Sequence, residues 1–99
     1  PVLAQVICES LAATDPDFRF TSIQVNLNSR YGLHTDGHDA GPSRMLSCGV
    51  YELGRLWLHD SAGDGAWRLV DCRDRWVGFD GRELHLTERW EGKERYSLV

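Results

Sequence analysis

Two hydrophobic periodicities divide the chain. Val2, Leu3, Val6, Ile7 and Leu11 recur at helical spacing before Thr14, Asp15 and Pro16 close the segment, which predicts one amphipathic helix over residues 2–13. From Phe20 onward the period shortens. Brief runs of β-branched and aromatic residues are separated by Gly, Asp and Asn roughly every 8 to 12 positions, the pattern of an all-β sandwich or barrel. Strands are expected near 20–28, 44–50, 55–59, 66–71, 75–79, 83–87 and 94–99. In the first of them Ile23, Val25 and Leu27 alternate with Ser22, Gln24, Asn26 and Asn28, so one face is apolar and the other carries amides. A polar face turned inward is what a binding barrel needs. Asp80-Gly81, and more weakly Leu53-Gly54, mark chain reversals. No repeat, linker or low-complexity stretch interrupts this order, so residues 1–99 form one domain, a helix followed by a β core over 20–99.

Composition narrows the picture only slightly. Ninety-nine residues with 41% apolar and 26% charged positions make an ordinary globular domain with a thin core. The net charge is −4, with basic and acidic residues interleaved, so the Lys/Arg-rich face that duplex nucleic acid requires is missing from the sequence. A single flipped base is not excluded by this. No apolar run is long enough for a membrane span, and PVLAQVICES lacks the charged start and long apolar run of a signal peptide. Cys8, Cys48 and Cys72 form an odd set without CxxC spacing, which points to buried thiols in a reducing compartment, cytoplasm or nucleus. The chain opens without Met and breaks off inside the apolar pattern RYSLV, as expected of a piece of something longer.

Candidate chemistry concentrates in LHTDGHDAG, residues 33–41, which holds His34, Asp36, His38 and Asp39. In extended backbone His34 and Asp36 point to the same side and Thr35 to the other. An imidazole and a carboxylate side by side can occupy adjacent corners of a metal ion, leaving a third ligand to be found among His38, His59 and His85. His38 follows Gly37 in a tight turn and His59 ends a strand. His85 lies on a strand and is followed ten residues later by Arg95, with Ser97 two positions beyond on the same strand face. A guanidinium fork beside a hydroxyl is a socket for a carboxylate. Two histidines and one carboxylate on one face of an ion are diagnostic of non-haem Fe(II) oxygenases.

The ordered set HTD at 34–36, His85 and RYS at 95–97 resembles the 2-oxoglutarate- and Fe(II)-dependent dioxygenases, whose motif is H-x-D, a distant His and then R-x-S. IQVNLN before the H-x-D, YELGRLWLHD at 51–60 and VGFDGRELH before the distal His are similar to that family too, so the likeness spans roughly residues 20–99. It implies a double-stranded β-helix, a jelly-roll relative with the metal inside. It further implies His34, Asp36 and His85 as Fe(II) ligands, Arg95 assisted by Ser97 on the distal carboxylate of 2-oxoglutarate, and Asn26, Asn28 and Tyr31 as further contacts to that co-substrate. O2 would be the second co-substrate. The implied activity is hydroxylation of a protein side chain, a nucleobase or a small metabolite, with release of succinate and CO2. One departure from the family is that eight core strands are typical and seven are placed here.

Other readings compete for the same residues. A non-catalytic metal- or partner-binding module would use the same His/Asp/His set, and a local zinc site would use His34, Asp36 and His38. Arg95 alone reads as a surface ion pair with Glu91 or Glu94. His38 and Asp39, bracketed by Gly37 and Gly41, belong to a loop at the site entrance and are candidate substrate contacts. His59 and Asp60 read as a solvent-facing strand end, and Trp57, Trp67, Trp76 and Trp90 as core or rim aromatics.

Overall fold

In the computed structural model, residues 2–30, 32–37 and 41–99 are described. The expected contacts at Tyr31, His38 and Asp39 therefore lie outside the described residues. Helix α1 (Val2–Thr14) precedes seven strands, β1 (Val25–Leu27), β2 (Ser43–Leu53), β3 (Leu56–His59), β4 (Trp67–Val70), β5 (Val77–Phe79), β6 (His85–Thr87) and β7 (Trp90–Leu98). All pairings between strands are antiparallel. They build a four-stranded sheet in the order β1-β7-β2-β5 and a three-stranded sheet in the order β4-β3-β6.

The helix ends where Pro16 removes a donor, and the Thr14 hydroxyl donates to the carbonyl of Leu11 over its last turn. Only Ile7 and Leu11 are buried; Val2, Leu3 and Val6 stay exposed, so the apolar stripe is wider than the face the sheet takes up. Polar contacts hold it as much as packing does. Trp76 Nε1 donates to Ser10 Oγ at 3.1 Å, and Asp15 beyond the helix pairs with Arg44 at 2.8 Å.

The core lies between the two sheets. Met45, Leu56, Leu58, Cys72, Val77 and Phe79 form it, with Val70 and Val99 against its margin. All but Cys72, which lies between β4 and β5, come from the inward alternating face of a strand, as the buried/exposed/buried pattern of β5 shows most clearly. On β7 the same alternation buries Arg95 and Ser97 instead of apolar groups.

Two expectations are corrected here. The strand anticipated over 20–28 is realised only at Val25–Leu27, with backbone hydrogen bonds from Gln24 to Val99 and from Asn28 to Arg95 at its ends; Asn26 turns inward, while Val25 and Leu27 lie on the outer, exposed side. Of the three cysteines only Cys72 is buried, Cys48 being partly covered and Cys8 exposed on α1, where burial is confined to Ile7 and Leu11. Among the described residues no helix is long and apolar enough to cross a membrane.

Candidate metal centre

The HTD segment meets β6 backbone to backbone. His34 N–H donates to His85 O at 3.1 Å and His85 N–H to His34 O at 3.0 Å, an isolated antiparallel bridge that sets the two rings 4.2 Å apart. Two residues on, the Asp36 N–H donates to Gly81 O at 2.6 Å, which keeps the segment extended and turns Asp36 to the same side as His34. The Asp80-Gly81 turn that supplies this carbonyl is tied by Asp80 Oδ1, which accepts from the Arg82 N–H at 3.0 Å. The expected shared face of His34 and Asp36 is thus present. Its support comes from β6 and the turn before it.

The ligand atoms converge. Asp36 Oδ1 lies 3.7 Å from His34 Nε2, and Asp36 Oδ2 lies 3.4 Å from His85 Nε2. One ligand atom from each of His34, Asp36 and His85 falls within 4.8 Å of the other two, a group that could hold a metal ion. The opposite ring nitrogens orient the rings. His34 Nδ1 is 2.6 Å from Gly32 O and His85 Nδ1 is 2.8 Å from Glu83 O. A carbonyl only accepts, so each Nδ1 carries a proton and each ring turns its Nε2 toward Asp36. Hydrogen bonds of this kind also orient metal-bound histidines. His85 is 5% exposed and stands edge-on to Phe79, whereas the side chains of His34 and Asp36 are 36% and 43% exposed. One side of the group is therefore walled and the other faces solvent.

Behind it runs a cavity of about 110 Å³, whose polar lining includes Asn26, Thr87 and Ser97. These residues meet because β1, β7 and β2 place Asn26, Ser97 and Ser47 side by side in one row. Asn26 Nδ2 donates to Ser97 Oγ at 3.3 Å. Arg95 is the next inward-facing residue along β7 and lies outside that lining. It is 2% exposed, its Nη2 donates to Gly54 O at 3.0 Å, its guanidinium sits 5.4 Å from the centre of the Tyr51 ring, and its Nε has no partner. The ion pair with Glu91 or Glu94 is not formed: Glu91 pairs with Arg89, and among the described residues no carboxylate meets Arg95. Asn28 serves the Arg95 backbone, its Oδ1 accepting from Arg95 N–H at 2.8 Å while its own N–H donates to Arg95 O.

Some members of the site were not singled out in the sequence. Thr87 had a readable signal, being two residues after His85 on one strand. Tyr51 and the Gly54 carbonyl had none as partners of Arg95, since only the pairing of β2 with β7 brings them there. A side chain at Gly54 would come within 2.9 Å of Arg95 Nε, and its φ of +70° suits glycine. His59 is not a solvent-facing end: its ring packs 4.8 Å from Trp67, and its Nδ1 is buried without a partner. Thiolate chemistry finds no support at Cys48, where burial, with Asp74 and Glu94 nearby, pushes the thiol pKa up. Compared with protein-family models, curated proteins and solved structures, the chain matches none.

Proposed function

We propose that this domain is a 2-oxoglutarate- and Fe(II)-dependent oxygenase built on a double-stranded β-helix. The observation that carries the reading is a buried guanidinium that has no carboxylate partner among the described residues, two positions from Ser97 on the strand face whose cavity ends at the His/Asp/His group. A buried cation is expensive to leave unpaired, and a small dicarboxylate is the partner that would relieve it. His34, Asp36 and His85 would hold the iron in the facial arrangement typical of this chemistry. Bound there with 2-oxoglutarate and O2, the metal supplies oxidation of a substrate C–H bond with release of succinate and CO2. The chain's own part is to orient both imidazoles through Gly32 O and Glu83 O, with Nε2 turned toward the metal position, to align the co-substrate with Asn26, Thr87 and Ser97, and to receive its far carboxylate at Arg95. The fold reading has independent support. Counting the His34 segment that bridges β6 as an eighth strand gives two sheets of four, the number a jelly roll requires.

A second reading, a metal-binding module without catalysis, is favoured by the solvent exposure of His34 and Asp36, which would shield a reactive intermediate poorly. Succinate measurement separates the two. The oxygenase reading expects Fe(II)-dependent conversion of 2-oxoglutarate to succinate that is lost in Asp36→Ala, whereas a binding module takes up metal and forms no succinate.

A further inference from the structure

A second, roomier cavity shares a wall residue with the cavity at the metal group. It measures about 380 Å³, within the range of small-molecule sites, and opens between α1, residues 18–23 and the start of β2. Val99 forms part of the wall of this cleft and of the metal cavity alike. Three aromatic rings reach it, Phe18, Phe20 and Trp76, and so do two guanidiniums, Arg19 and Arg44. Among the described residues no Asp or Glu lines it, although the whole chain carries a net charge of −4. The two cations differ. Arg44 is pinned by Asp15 and lies 4.1 Å over the Phe18 ring, so it stiffens the wall. Arg19 is exposed, and among the described residues no carboxylate pairs with its guanidinium. Phe20, 41% exposed, stands nearly parallel to Phe18 with ring centres 6.1 Å apart. A lone exposed phenyl is ordinary. Rings and a guanidinium with no carboxylate partner among the described residues, converging on one cleft, select for a flat ligand with negative charge.

We propose that this cleft binds a planar aromatic ring bearing an anionic group, and that this ring is the substrate presented to the neighbouring metal group. The second half rests on the oxygenase reading; the first does not. Phe20 and Trp76 offer faces and edges for stacking, Arg19 offers the fork for a phosphate or carboxylate, and the absence of acidic groups disfavours cationic rings. Two sources share this chemistry, a mononucleotide and an aromatic carboxylic acid.

Calorimetric titration of the metal-free protein, with chelator present, tests the binding. The probes are thymidine 5′-monophosphate, N-acetyltyrosine, thymidine and inorganic phosphate. One or both of the anionic rings is expected to bind more tightly than thymidine, and whichever does identifies the source. Arg19→Ala, an exposed change that leaves the core intact, is expected to weaken the anionic ring about tenfold and leave thymidine unaltered. Phe20→Ala is expected to weaken both by about tenfold. Absence of saturable binding by either anionic ring, or binding indifferent to both substitutions, overturns the proposal. Stimulation of succinate release by the bound ring supports its role as substrate, and a ring that binds while leaving that release unchanged overturns the role. Failure of the oxygenase reading shows elsewhere, in a metal titration insensitive to His85→Ala.

Discussion

At Arg95 a permanent charge is 2% exposed and meets a backbone carbonyl and the Tyr51 ring, with no carboxylate partner among the described residues. Such a group contributes little to stability, because desolvation of the ion offsets its contacts. Arg95→Met is therefore expected to leave the urea midpoint unchanged or to raise stability by as much as ~1 kcal/mol. The same change is expected to weaken 2-oxoglutarate binding at least about tenfold with metal affinity intact. A variant that unfolds more readily and loses metal and 2-oxoglutarate equally would make Arg95 structural. Glu88 shows the opposite electrostatics. Its carboxylate takes Arg55 Nε at 2.7 Å and Nη2 at 2.6 Å, and these hydrogen bonds hold it below the ordinary 4.5. A lowered carboxylate pKa means the pair stabilises the fold above the unfolded value and the contribution disappears as pH falls through the folded one. Urea midpoints followed downward from pH 6 should fall for wild type below about pH 4.5 and change less for Glu88→Gln. Parallel curves would remove this pair from the acid response.

Among elements, β2 and β7 form the longest pairing and carry the site's depth. Their register shifts between Val50 and Tyr51, leaving Lys93 unopposed, and Gly49 and Gly92 occupy the two places where the strands come closest. A Cβ at Gly92 would come within 2.5 Å of Val50 O, and its φ of +146° is one that other residues rarely adopt. Gly92→Ala is expected to cost about 2 kcal/mol, read as a lower urea midpoint, and to weaken 2-oxoglutarate binding because Tyr51 and Arg95 shift together. An alanine accepted without loss would mean that the bulge is pliable. The strands themselves were legible, since seven alternating runs became seven strands. The helix was legible too, although its breadth of apolar positions did not foretell that only Ile7 and Leu11 would be covered. The segment 20–24 alternates like a strand yet is not one, because alternation records side-chain direction and says nothing of whether a partner edge is available. The short bridge from His34 to β6 was hidden in the HTD motif, whose polar residues mask it.

Across the whole molecule, a chain of 99 residues brings together groups 51 positions apart, His34 and His85, by a single pair of backbone hydrogen bonds. The triad was readable from residue types and period two. Its orientation was not, because the carbonyls of Gly32 and Glu83 leave no trace in the sequence. Within the described residues the cavity runs from the solvent-facing Asp36 to Ser97 on β7, and Arg95, the next inward side chain along that strand, lies just outside its lining. The central claim is that the cavity and Arg95 form a single site, with metal at one end and a dicarboxylate at the other. Anaerobic titration of Fe(II) and then 2-oxoglutarate, followed by visible absorption, tests it most directly. One equivalent of iron with a charge-transfer band that appears only after 2-oxoglutarate, and that is lost in His85→Ala, is the predicted result. A folded wild-type protein that shows no band, or a band that survives His85→Ala, would contradict it.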